Sequence, residues 1–391
     1  MGSSVLVQEY GGGSGPNDWS DGLSEQPRLY FLDNLRAFVI VMVIVLHASI
    51  TYMLYAPEWW YVLDPDRGIP FTMLVLLVDV PTMPALFFVA GFFALASLER
   101  RGVGGFTREK VVRLAIPWVA GVVFLAPIAT YMIYVSRDVP MGYLEFWTTD
   151  FWGPLFQHGV YWFLGVLFAL FLVLAAIYAA SPRLRASVPR HEQPRGRLFV
   201  AFLAFTAGGA ILASPAFGVD DWQPLSIVLF VQPARIAFYA GYFALGVYAQ
   251  RRGWFSAGGF RPDLGAWGWG CVVAGLVYLG FRMSGYPATV PERTVAAVLF
   301  AIFCLAAVIA GIAVFQRWFD RSGPAWRTLA ANSFGIYYVH PLILYPLAYV
   351  LLNLPAPAVV KAALLVVVTL AGSLVVSALL LRRVPGVRRV F

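Results

Sequence analysis

Ten apolar stretches, each long enough to cross a bilayer, run through this 391-residue chain. They fall at roughly 31–54, 71–98, 111–135, 160–180, 198–214, 225–250, 265–283, 293–315, 331–352 and 357–381, the fifth being the shortest. A membrane helix needs about 20 mostly apolar residues, because its backbone has to satisfy its own N–H and C=O groups where no water is present. The chain as a whole is 60% hydrophobic and only 12% charged, against about 25% charged in soluble domains. The expected fold class is therefore all-α integral membrane, with about ten transmembrane helices.

The loops between these stretches support the count. Arg100, Arg101, Arg108, Lys110 and Arg113 follow the second stretch, and five arginines between 183 and 197 follow the fourth. Arg251, Arg252 and Arg261 follow the sixth, Arg317, Arg321 and Arg327 the eighth, and four arginines from 382 to 389 the tenth. The intervening loops are poor in cations: Glu58, Asp64, Asp66 and Arg67 in one, Asp220 and Asp221 in another. Every second loop is basic, so the positive-inside rule places both termini in the cytoplasm and the chain as a multi-pass protein of the cell's cytoplasmic (inner) membrane. The net charge of +8 is concentrated in those loops, which points to orientation and anionic lipid rather than to nucleic acid.

Residues 1–27 are Gly/Ser-rich and polar, and read as a disordered tail; residues 28–391 read as a single transmembrane domain. The tail has no basic stretch before an apolar core, so it is not a secretory signal, and Leu6 stands where a myristoylation motif needs Ser or Thr. Cys271 and Cys304 sit inside apolar stretches without CxxC spacing or a neighbouring His. They read as small buried hydrophobes, with no metal site and no disulfide implied. With no soluble domain expected beyond the bundle, any chemistry or transport takes place in the membrane.

The first helix carries the sharpest signal. Residues 30–52 read YFLDNLRAFVIVMVIVLHASITY, with Asp33, Arg36 and His47 in an apolar run. Insertion of an Arg or Asp at the helix centre costs roughly 2.5–3.5 kcal/mol, so such residues are kept for a reason. Arg36 and His47 are eleven residues apart. They therefore differ by only ~20° in direction and lie ~16 Å apart along one stripe. Asp33 is too far from His47 to touch it and is expected to pair with Arg36 at i+3. Neutral imidazole accepts a proton near pH 7, the task of a general base; the plain alternative is a histidine hydrogen-bonded between helices.

Three further groups stand out. Arg108, Lys110 and Arg113, in GGFTREKVVRLAIPW, are either a positive-inside anchor or a seat for an anionic group such as phosphate. His158 and Trp162, in HGVYWFLGVLF, either line a polar substrate's path or belong to an aromatic belt. Asn332, Tyr337 and His340, in ANSFGIYYVHPLI, are either substrate contacts or interhelical hydrogen-bonding residues, with Tyr337 and His340 on one face.

Taken together, these segments resemble the membrane acyltransferase 3 family. Arg36 and His47 match its Arg, ten residues, then His signature, and PTMPALFFVAGFFAL is similar to its second helix, with Gly91 in place. FTREKVVRLAIPW resembles the basic start of its third helix, Lys110 and Arg113 giving a basic-x-x-basic pattern before Pro117, and NSFGIYYVHPLI resembles its late Ser-x-Gly-Ile-Tyr-x-x-His segment. YFLDNLRAF and HASITY look most like the glucan-modifying branch, typified by glucans biosynthesis protein C. Two departures are Lys at 110, where the family has more often Arg and its bidentate fork, and the spreading of the His-Trp-Phe-Leu step into His158 to Trp162.

The resemblance implies transfer of an acyl group, acetyl or succinyl, from cytoplasmic acyl-CoA to a hydroxyl of a carbohydrate or lipid-linked glycan. On that reading Arg108, Lys110 and Arg113 hold the CoA phosphates, Arg36 positions the donor or stabilises developing charge, and His47 deprotonates the acceptor. His158 and Trp162 meet the acceptor from the outer side, and Asp33, Asn332, Tyr337 and His340 complete the substrate-binding set. No Ser–His or Cys–His activation pair is visible, which favours direct transfer over a covalent acyl-enzyme. The rival classes are a polytopic transporter or flippase for a polar substrate, which explains intramembrane Arg and His as a path, and a structural scaffold, which leaves the charged stripe without a purpose.

Overall fold

The computed structural model describes residues 28–182, 193–226 and 229–383, together with 386 and 390. The tail expected to be disordered and Arg183, Arg185, Arg190, Arg388 and Arg389 lie outside the described residues.

Helix α1 (Tyr30–Ile50) opens the bundle. Helix α2 (Ile69–Lys110) follows, with Pro81 and Pro84 inside it, and breaks direction at Gly102, whose φ of 67° is readily available only without a Cβ. The chain continues through α3 (Ile116–Ala120) and α4 (Ala126–Val135), each preceded by a wide helical turn, at Val111–Ala115 and Gly121–Leu125. The short α5 (Tyr143–Thr148) caps that end, and α6 (Trp162–Ala180) and α7 (Gly196–Ala213) cross next. Then come α8 (Ile236–Arg251), α9 (Leu264–Met283), α10 (Val290–Trp318), α11 (Pro324–Leu351) and α12 (Ala358–Val376).

Eight helical runs among the described residues are long and apolar enough to cross a membrane. One of them, Ile69–Val135, is 67 residues long and holds both the second and third expected spans on either side of Gly102. The 16-residue α8 occupies the place of the sixth. The protein is thus a multi-pass all-helical bundle with its helices in the order read from the sequence. The sixth expected span starts too early. Its first part forms a β-hairpin, β1 (Gln223–Ser226) antiparallel to β2 (Leu229–Val231), with Gln223 opposite Val231. A short apolar run bounded by prolines reads equally well as strand or helix. Pro233, lacking an N–H, opens the helical turn Pro233–Arg235 and sets where the helix proper can begin.

Helix α1 is surrounded by α2, α10, α11 and α12, and Leu32, Val43, Ile44 and Ala48 are fully enclosed. The closest crossing is α2 on α8. A Cβ built on Gly91 would lie 2.0 Å from the Phe243 carbonyl oxygen, and one on Gly246 2.1 Å from that of Phe88. Backbones meet here because both faces offer glycine.

The two ends of the bundle are tied in the pattern that the loop charges predict. At the start of α1, Asn34 Nδ2 donates to the carbonyls of Phe319 (2.7 Å) and Arg321 (3.1 Å), and the Phe31 N–H donates to Asp320 (3.2 Å). At the other end, Lys361 Nζ meets Asp64 at 2.6 Å and the Ala358 N–H donates to Asp66 at 2.8 Å.

Candidate active site

A cavity of about 1190 Å³ opens among the loops at the cation-poor end and reaches His47, in the last turn of α1. The rest of its wall comes from α2, the loops around 55–61, 154–160 and 220–235, and from α8, α9 and α11. The stripe between Arg36 and His47 is filled by Ile40 and Val43, both buried, and Val43 lies on the cavity wall beside His47. His47 therefore stands on the cavity wall one helical turn from Val43.

Helix α11 supplies the partner. His47 Nδ1 and His340 Nε2 are 3.0 Å apart, and the two rings are nearly parallel, 10° between their planes, with centroids 5.2 Å apart. His340 Nδ1 lies 2.7 Å from the Tyr337 carbonyl oxygen. A carbonyl can only accept, so His340 carries its proton on Nδ1 and, when neutral, offers Nε2 as an acceptor. His47 then donates from Nδ1, which leaves its Nε2 lone pair as the free, basic position. On its far side the His47 ring stacks against Trp60, 5.8 Å between centroids. The hydrogen bond and the Trp60 face together fix the orientation of the His47 ring.

Tyr337, three residues before His340, lines the same cavity and donates its hydroxyl to the Val160 carbonyl. His158 and Trp162 line it too. His158 is buried and packs against Trp222 and Phe230; its Nδ1 is 2.9 Å from the Gly159 carbonyl oxygen and its Nε2 has no hydrogen-bond partner. Burial pushes this imidazole down to about 4. Trp162 lies between Trp222 and Tyr239. The helices thus bring His47, His158, Trp162 and Tyr337 onto one cavity, with His340 hydrogen-bonded to His47.

The remaining expected residues lie elsewhere. Arg36 is at the opposite end of α1, 3.2 Å from Asp33, which also takes Arg28 at 3.0 Å. The i+3 pairing read from the sequence is present, and Arg36 Nε is left without a partner. Glu109 gathers Arg101 (3.0 Å), Arg113 (3.4 Å) and Lys110 (3.7 Å). Arg108 and Arg113 are exposed, whereas the Lys110 ammonium sits 4.9 Å from the Phe106 ring centre and 4.7 Å from that of Phe171. Asn332 donates to the Thr328 carbonyl and accepts from Ser377 at 3.0 Å; it joins the end of α12 to α11, off the cavity.

Sequence reasoning missed five charged residues of the cavity wall: Asp79, Asp220, Asp221, Arg235 and Arg282. Arg235 lies 2.6 Å from both Asp79 and Asp220, and Arg282 2.7 Å from Asp220. Burial alone would raise the Asp220 carboxyl; Arg282 and Arg235 outweigh it and hold the group below its ordinary value. Asp79 was findable by the reasoning that singled out α1, since it interrupts the apolar run of α2.

Comparison with known proteins agrees with this architecture. A family model described as an acyltransferase domain matches residues 29–382. Glucans biosynthesis protein C of Salmonella gallinarum is 28% identical over 177 residues, covering 42% of this chain and 43% of the relative. Its namesake in Escherichia coli K12 is 23% identical over 239 residues, 57% of this chain and 58% of the relative. The aligned part is about half the length of these curated relatives. No solved structure matches. With its motifs in order along α1, α2, the start of the third span and α11, and with the family match running over nearly all the described helices, the chain belongs to the acyltransferase 3 family of membrane proteins.

Proposed function

We propose that this protein transfers an acyl group, acetyl or succinyl, from acyl-CoA at the cytoplasmic end of the bundle to a hydroxyl of a carbohydrate or lipid-linked glycan that enters the cavity from the opposite side. The observation that carries this reading is the His47–His340 pair, with His47 on the cavity wall and its Nε2 as the basic position. His47 is the general base. The acceptor oxygen attacks the thioester carbonyl carbon as His47 Nε2 takes the hydroxyl proton. The tetrahedral intermediate collapses with cleavage of the C–S bond, and the same proton passes from His47 to the departing thiolate. No covalent acyl-enzyme is involved.

Arg36, Arg108, Lys110 and Arg113 form the donor end. Exposed guanidiniums suit the phosphates of CoA, since each offers a planar fork of donors. Asp33 fixes the Arg36 side chain, whose buried Nε is without a partner. The thioester has ~16 Å to cover from Arg36 to His47, and the buried Ile40 and Val43 between them have to give way to the donor's arm. The names of the glucan-synthesis relatives favour a glycan as acceptor.

The test is acyl-CoA binding and transfer by the purified protein in detergent, wild type beside His47→Gln and the pair Arg108→Ala/Arg113→Ala. His47→Gln is expected to bind acyl-CoA normally and to lose transfer by roughly 10²–10⁴-fold, the contribution of a general base. The arginine variant is expected to weaken donor binding. Wild-type transfer by His47→Gln would remove the general-base role, and absence of acyl-CoA binding by every form would sink the whole reading.

A further inference from the structure

The charges of the cavity wall say what kind of acceptor it takes. Its titratable side chains other than histidine and tyrosine are Asp79, Asp220, Asp221, Arg235 and Arg282, an excess of one carboxylate over guanidinium. The two signs are also differently placed. The side chains of Asp79 and Asp220 are 32% and 33% exposed, those of Arg235 and Arg282 only 4% and 8%. The arginines are thus packed behind the carboxylates. Arg235 spends itself on Asp79, Asp220 and the Val219 carbonyl, and its guanidinium lies over the Phe300 ring.

A carboxylate has about four acceptor positions. One oxygen of Asp79 and each oxygen of Asp220 meet an arginine, so spare lone pairs face the cavity. Asp221 is held by the Gly218 N–H (2.7 Å) and the Tyr286 hydroxyl (2.8 Å). Three buried nitrogens on this lining are unpartnered: His158 Nε2, and Trp60 Nε1 and Arg282 Nε, each a single donor. A wall rich in acceptors, with its cations covered, binds hydroxyl groups and repels anions. Trp59, Trp60, Trp222, Tyr239 and Tyr278 supply flat apolar faces beside it.

We propose that the Asp79–Arg235–Asp220–Arg282 wall, with Asp221, is a specificity subsite that binds the non-reacting hydroxyls of an uncharged polyhydroxylated acceptor and rejects acceptors carrying an anionic group. This rests on the acyl-transfer reading for its role, but the subsite is measurable without any donor. The rejection is electrostatic: an anion placed here meets the partly exposed carboxylates at short range in a medium less screened than water.

The test uses the full chain in detergent and follows quenching of tryptophan fluorescence. One probe is a short linear gluco-oligosaccharide; the other is the same oligosaccharide with its primary hydroxyls oxidised to carboxylates. The neutral probe is expected to bind saturably and about tenfold or more tighter than the oxidised one. Asp79→Asn and Asp221→Asn are each expected to narrow that ratio to roughly threefold or less, because each removes a charge and keeps a hydrogen-bonding oxygen. Asp221→Asn touches no buried arginine and serves if Asp79→Asn does not fold. Equal or tighter binding of the oxidised probe, an unchanged ratio in the variants, or binding of neither probe would overturn the subsite. Acyl-CoA binding is measured alongside. Its absence with probe selectivity intact would overturn the acyl-transfer reading alone, and its presence without selectivity would overturn the subsite alone.

Discussion

The chemistry of the cavity turns on which nitrogen of His47 is free. A single backbone carbonyl, that of Tyr337, decides the matter two steps away by fixing the proton of His340. On the proposed acyl-transfer reading His340 is a positioning residue, which holds the tautomer and ring orientation of His47. His340→Phe is expected to lower kcat by up to roughly 10⁴-fold, by analogy with the loss when a catalytic imidazole takes the wrong tautomer, while KM for acyl-CoA stays unchanged. His340→Gln, which restores an acceptor opposite His47 Nδ1, is expected to recover part of the rate. A merely structural role would move both variants together. His158 gives a second test, on stability. Its pKa in the fold is about 4 against an ordinary 6.5, so the unfolded chain binds the proton first as pH falls. The fold therefore loses stability between pH 6.5 and about 4, by at most roughly 1.4 kcal/mol per pH unit. Above that window the residue has no effect on pH dependence. Melting of wild type and His158→Phe across pH 4 to 8 checks this: the variant is expected to show a shallower decline on the acid side.

At the scale of elements, the bundle is set by how closely helices approach. The Gly91–Gly246 crossing leaves no room for a methyl group, because the neighbouring atoms are backbone carbonyls that cannot swing aside. Gly246→Ala is expected to push α8 from α2 and cost about 1–3 kcal/mol, the usual penalty of overpacking. It would be read as a lower melting temperature with the helix content retained. Since α2 carries Asp79 and α8 follows Arg235, the same change is expected to loosen their 2.6 Å pair. The helices themselves were legible in the sequence, since spans of about 20 apolar residues announce themselves one by one. The exception is instructive. The stretch 225–235 is as apolar as its neighbours, yet it forms β2 and a prolyl turn. Hydropathy measures whether a segment avoids water; it does not distinguish a helix from a hairpin lodged in the wall of a cavity.

For the whole molecule, the design is a division of labour between its two ends. The cations Arg36, Arg108 and Arg113 collect at one end, and the wide cavity with its carboxylates opens at the other, with the buried side chains of Ile40 and Val43 between them. The cavity end is closed by a long-range tie. Lys361 on α12 and Asp64 in the loop after α1 form a pair whose side chains are 5% and 0% exposed. Lys361→Ala would leave a buried carboxylate alone and is expected to cost about 3–5 kcal/mol. Replacing both partners, as Asp64→Asn with Lys361→Met, is expected to restore much of that loss, and melting of the single and double variants separates the two cases. Lys361, like Asp79, is a lone charge in an apolar run, and its partner Asp64 lies 297 residues away in sequence.

What the sequence by itself determined is the order of the helices, the alternation of basic and cation-poor loops between them, and the family motifs on them. Each of these depends on a segment's own residues: whether it avoids water, and which of its flanks is basic. The pairing of Asp33 with Arg36 belongs here too, since one helical turn separates them. The tertiary structure decided the rest. It set His340 behind His47 across 293 residues of chain and joined Asp79, Asp220, Arg235 and Arg282 into one wall. It also sent Asn332 to a helix junction rather than to the cavity. The physical reason is that a tautomer, a buried ion network and a cavity are properties of groups in contact, and residues far apart in sequence meet only once the helices have packed.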